Sequence, residues 1–143
     1  MAVEYSYSLV QTVEADESVL FLNGDRCCKK GLIMHNDNSG VFRIKGVYNC
    51  CKTIYKVHFN ANIAVSAGGT VGEISVALVQ NGEVSRIAVA TVTPVAIGDF
   101  WNVSIATFIE IPCGCCDTIS VKNISATTGI DAVNSNLIID RVA

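Results

Sequence analysis

The sequence is short of charge and of most residues from which active sites are built. Only 16% of its 143 residues are Asp, Glu, Lys or Arg, the formal charge is −3, and Lys and Arg nowhere form a run. A nucleic-acid surface needs a basic stripe to displace counterions, so nucleic acid is not an expected partner. No apolar run approaches the roughly 18 residues of a membrane-spanning helix, because Asn, Lys, Glu or Asp interrupts each one, and membrane insertion is excluded on that ground. Histidine and proline occur twice each and tryptophan once. There is no Gly-x-Ser-x-Gly elbow, phosphate loop or His-Glu-x-x-His. His58 falls mid-strand and His35 at the end poor in cysteine, so neither suits a Cys-His nucleophile. No enzyme is expected. The opening Met1-Ala2-Val3-Glu4-Tyr5-Ser6 lacks the basic start and apolar segment of a secretory signal. That predicts synthesis in a host cytoplasm and delivery to a virion or other extracellular particle surface by assembly or lysis.

What the sequence has is apolar alternation. Half of the residues are apolar and the mean hydropathy is +0.43, which predicts more apolar face than one core can hide. The apolar period is two almost throughout. Tyr55, Val57, Phe59, Ala61, Ile63 and Val65 alternate with Lys56, His58, Asn60, Asn62 and Ala64 as a long half-buried strand. Segments 74–80 and 83–92 flank Asn81-Gly82, a pair that tolerates positive φ at both centres of a two-residue turn and so predicts a hairpin. Further strands are predicted near 8–14, 17–22, 31–35, 40–47, 100–111, 117–124 and 131–142, separated by Gly, Asn, Asp, Ser and Pro. No internal repeat or linker divides the chain, so residues 1–143 are read as one all-β domain, a sandwich or barrel of about ten antiparallel strands.

The order of features resembles a known superfamily. The relevant features are Ala61-Asn62-Ile63 closing a long strand, the Gly-rich loop Ala67-Gly68-Gly69-Thr70, Ala77-Leu78-Val79-Gln80-Asn81-Gly82, Asp117-Thr118-Ile119-Ser120-Val121-Lys122-Asn123, and Asn136-Leu137-Ile138-Ile139. Together they resemble the tumour necrosis factor and complement globular-head superfamily. More narrowly they look like exosporium-glycoprotein heads and like virion decoration or fibre proteins of phages infecting Firmicutes. The resemblance implies a ten-strand jelly roll that assembles as a homotrimer to display or bind. It further implies that strands 54–65, 100–111 and the last strand share the sheet facing the threefold axis. On the outward parity of those strands lie His58, Phe108 and Ile138, the expected trimer interface. Two features depart from that pattern: there is no collagen-like stalk, and cysteine is abundant.

The seven cysteines are Cys27, Cys28, Cys50, Cys51, Cys113, Cys115 and Cys116. In an antiparallel sandwich successive loops alternate between the two ends, and that count places all of them at one pole. Three readings stay open there. Disulfides within or between subunits would tie the loops, with each cysteine seeking a partner in another loop because adjacent cysteines bridge poorly and an odd number leaves one over. A thiolate metal site, most plausibly zinc, is the second, although no Cys-x-x-Cys knuckle is present. Reduced thiols are the third. No other cofactor is expected.

The remaining candidates read as structural. Asp16, Glu17, Asp25, Asp37, Asp99 and Asp117 fall mainly at turns, where Asp bonds its local backbone. Asn102-Val103-Ser104 and Asn123-Ile124-Ser125 match the glycosylation sequon by chance if the chain is not secreted. Trp101 shares the parity of Val103, Ile105, Ile109 and Ile111 and is expected in the core rather than on a carbohydrate platform. The function expected is a non-enzymatic homotrimeric phage module, a capsid decoration or head fibre, with itself and a capsid or other virion protein as partners. The alternative is a spore- or cell-surface adhesin head binding glycan or host protein.

Overall fold

The longest strand is long because its alternation holds from Thr53 to Ile63. In β5 (Lys52–Val65) Thr53, Tyr55, Val57, Phe59, Ala61 and Ile63 are buried, while the residues between them face outward. The same pattern builds β8 (Trp101–Pro112) beside it, antiparallel over its whole length, and β10 (Ile130–Arg141) on its other side. β1 (Ala2–Tyr7) and β2 (Gln11–Val13) both pair with β10 and complete a first sheet of order β1-β10-β5-β8. A second sheet has the order β3 (Ile33–His35), β4 (Phe42–Lys45), β9 (Cys116–Asn123), β6 (Ile74–Gln80) and β7 (Glu83–Val92). The computed structural model describes residues 2–22, 32–35, 38–47, 51–114, 116–126 and 128–142, and among them there is no helix. The result is the expected all-β, ten-strand antiparallel jelly roll.

One core fills the space between the sheets. Phe21, Phe42, Tyr55 and Phe59 are fully buried in it, with Phe21 set edge-on to Phe59 at a ring separation of 6.2 Å and 5.6 Å from Phe42. Each such ring contributes about 1.5–3 kcal/mol on leaving water. Asn123, also fully buried, uses its amide as a clamp: Nδ2 donates to the Val13 and Thr128 carbonyls, and Oδ1 accepts from the Ser125 N–H. The clamp joins β9 to β2 and to the loop entering β10.

Loops alternate between two poles. At one, Asn81 and Gly82 turn β6 into β7 with φ of 54° and 81°, the doubly positive geometry that Asn-Gly was expected to supply. The Asn81 N–H donates to the Thr118 carbonyl there, and the Thr118 N–H donates to Asn81 Oδ1. At the other pole, called the apex below, the Ser66 N–H donates to the Gly129 carbonyl and the Gly98 N–H to the Val65 carbonyl.

Three local expectations need correction. Residues 2–7 form β1, a strand not anticipated, although Val3, Tyr5 and Tyr7 do alternate with polar residues. The strand expected near 8–14 is only Gln11–Val13, because β1 and β2 take different stretches of β10 on either side of an irregularity between Val133 and Asn136. The strand expected at 17–22 makes isolated bridges alone, Ser18 to Lys122 and Phe21 to Ser39. Val19 bonds the Val121 carbonyl and Phe21 the Ser39 carbonyl, so this segment changes neighbour before a ladder can form.

Candidate functional site

The outer face of the first sheet can be read row by row from its register. One row crosses four strands as Glu4, Ile138, His58 and Ala106; the next toward the apex runs Ser6, Asn136, Asn60 and Ser104. On the other side Asp140, Lys56 and Phe108 stand in line. Side chains opposite each other on antiparallel strands lie about 5 Å apart, so His58 and Ile138 are direct neighbours and Phe108 is diagonal to His58. His58 and Ile138 are half-buried, whereas Phe108 keeps 61% of its surface exposed. The polar side chains of this face are tied to one another. His58 Nε2 lies 3.0 Å from Ser104 Oγ, and Asn102 Nδ2 donates to Asn60 Oδ1 at 2.9 Å and Asn62 Oδ1 at 3.1 Å. Near the end of β5 the Lys52 ammonium meets Glu110 at 2.9 Å.

Cys51 precedes β5, Cys113 follows β8 and Cys116 opens β9, so these three exposed cysteines share the pole that holds the Asn81–Gly82 turn. The Cys113 N–H donates to the Cys51 carbonyl at 3.2 Å, one step beyond the Lys52–Pro112 pair. Cys116 pairs with Lys45 at the end of β4. Chain packing at this pole is close: a Cβ on Gly46 would meet the Pro112 carbonyl oxygen at 2.3 Å, which is why no larger residue fits. Cys27, Cys28, Cys50 and Cys115 lie outside the described residues. Among the described residues no three His, Cys, Asp or Glu side chains gather as a metal site would require.

His35 sits away from these cysteines, stacked on Phe42 with ring centroids 4.3 Å apart, and its Nε2 lies 2.6 Å from the Ser39 carbonyl. Its role is packing at a sheet edge. Of the two sequons, Asn123 is unavailable to any glycosylating enzyme, since its amide is buried and fully bonded. Trp101 corrects an expectation. It is 48% exposed rather than in the core: Ile63 directly opposite is fully buried, but Trp101 stands at the corner where β8, the edge strand of its sheet, begins. Its indole Nε1 donates to Asp99 Oδ2 at 2.9 Å.

No family profile matches the chain, and no curated protein matches it. Solved structures do. Eiger TNF from S. frugiperda superposes with a TM-score of 0.70 at 12% identity, covering 100% of this chain and 92% of that one. The globular domain of zebrafish complement 1qA gives 0.63 at 11% identity, covering 99% and 94%. Murine APRIL gives 0.65 at 11% identity, covering 99% and 100%. The chain therefore has the jelly-roll fold of tumour necrosis factor and complement globular heads.

Proposed function

We propose that the protein is a non-enzymatic, self-associating structural module in which three copies pack the outer faces of their β1-β10-β5-β8 sheets around a threefold axis. The observation that carries this reading is Phe108, a large aromatic ring left 61% exposed on a strand face whose other central members are Ala106, Ile138 and a hydroxyl-bonded His58. Lys56 stands directly opposite the ring, and the polar side chains toward the apex bond one another, His58 to Ser104 and Asn102 to Asn60 and Asn62. With twelve to fourteen residues per strand, the face is about 45 Å long, enough to hold a standard interface of roughly 800 Å² per partner. The solved structures that share the fold support the architecture this packing needs.

The larger particle is a finer part of the same reading. We assign the trimer to a virion, as a capsid decoration or head fibre, on the resemblance of its short motifs to such proteins. The cysteine pole is then the end that joins or locks, by disulfides within or between subunits, with zinc as the other occupant that thiolates would accept. Native mass spectrometry with and without reductant tests all of this in one experiment. The expected species is three copies of the 15.2 kDa chain. A monomer without bridges or metal would overturn both the trimer and the lock.

A further inference from the structure

The apex carries exposed apolar side chains on loops that are held still. Val95 is 82% exposed, and Ile97, Phe100, Trp101 and Val71 are each close to half exposed. Their loops are nevertheless anchored. Pro94 is buried, the Gly98 N–H donates to the Val65 carbonyl at 3.2 Å, and the Asp99 N–H closes a turn on the Ala96 carbonyl at 3.3 Å. On the neighbouring loop the Gly69 N–H donates to the Ser66 carbonyl at 2.9 Å. The Trp101 ring is fixed by the bond from its indole N–H to Asp99 Oδ2. Asp99 Oδ1 has no hydrogen-bond partner among the described residues.

We propose that the apex binds a neutral saccharide, with the Trp101 ring against a C–H face of the sugar and Asp99 Oδ1 accepting hydrogen bonds from its hydroxyls. Charge selects this occupant. Segments 66–73 and 93–100 contain no Lys, Arg or His, and their charged residues are Glu73 and Asp99. Sulfated or uronic saccharides, phosphate headgroups and nucleic acids would meet only like charge there. A neutral bilayer surface is disfavoured by the carboxylate beside the ring, since burying an unpaired carboxylate in an apolar medium is costly. A sugar supplies both halves of the match: an apolar C–H face for the indole and hydroxyl donors for an ionised acceptor, the stronger class of hydrogen bond. A preset ring and turn spare the ligand the ordering loss that a mobile loop would exact. Because the site lies within one subunit, it does not rest on the trimer.

Trp101 is the sole tryptophan, so its emission reports on this site alone. Titration with lactose, maltotriose, mannotriose and chitotriose is expected to give a saturable change with at least one of them, with a dissociation constant on the order of 1 mM. Asp99→Asn keeps an oxygen for the indole N–H while removing the charge, and should weaken binding about tenfold. Trp101→Ala should abolish saturation transfer from the protein to the same saccharide, with circular dichroism confirming that both variants fold. No saturable response to any of the four sugars, or an undiminished response in Asp99→Asn, would overturn the proposal. So would an emission change produced only by phosphatidylcholine vesicles or by an added protein. Equal affinity per subunit in a monomeric variant would support it, separating its fate from that of the trimer.

Discussion

The two sheets turn different outer faces to the surroundings. On the first, two rows of β10, β5 and β8 carry Ile138, His58, Ala106, Asn136, Asn60 and Ser104, the adjoining row carries Asp140, Lys56 and Phe108, and the ion pair Lys52–Glu110 stands toward an end. On the second, the central strands carry Arg43 and Lys45 on β4 and Thr118, Ser120 and Lys122 on β9. An open depression of about 510 Å³ there is lined by Asp16, Glu17, Leu20, Thr118 and Lys122. Both faces arise from the same alternation of inward apolar and outward polar residues. What separates them is the kind of polarity in the rows around His58 and Asn60, which hold no lysine or arginine. Arginine and lysine keep their hydration and hold a face in water, whereas amides and hydroxyls that bond one another can be covered with little loss.

Substitutions should break that contrast in a definite order. Phe108→Asp is expected to have the largest effect on assembly: three carboxylates would enter the proposed contact, raising the concentration at which the oligomer dissociates at least a hundredfold, about 3 kcal/mol, in sedimentation equilibrium. Its circular dichroism should stay that of a β sandwich, since the ring lies outside the core. An oligomer that sediments unchanged would remove this face from the interface. Asn123→Ala, by contrast, should leave assembly intact and destabilise the fold by about 2–4 kcal/mol in urea unfolding at fixed protein concentration, because it strands two buried carbonyls and an N–H. Gly46→Ala should destabilise by roughly 1–3 kcal/mol in the same measurement, as its Cβ is driven onto the Pro112 carbonyl. The smallest effect belongs to the second sheet. Arg43→Ala and Lys122→Ala should each change stability by no more than about 0.5 kcal/mol and leave the sedimenting species as it was.

How much of this was legible in the sequence depends on what a period of two encodes. It encodes which side chains are buried, and it found β5, β8, β10 and the Asn81–Gly82 hairpin because their alternation is long enough to outlast the register shifts between Val133 and Asn136 and between Ala77 and Val79. It does not encode partners. Val19 and Phe21 are buried as their alternation suggests, but they bond different neighbours and so make no strand. Nor does it say where a layer stops. Trp101 has the inward parity of Val103 and Ile105, yet at the first position of an edge strand it stays half exposed while Ile63 opposite it is fully buried. The Asn123 clamp gave no sequence signal beyond a sequon, because its partners are backbone groups of residues 13, 125 and 128, and backbone groups are present everywhere.

The placement of the two chain ends has a practical consequence. Ala2 is paired with Asp140, and Arg141 with Tyr55, so the described chain both enters and leaves on the side where Cys51, Cys113 and Cys116 stand. A tag or fused polypeptide at either end would therefore extend from that side. Immobilised through such a tag, every molecule would present Trp101 and Val95 outward, a uniform orientation that surface-binding assays and display scaffolds require.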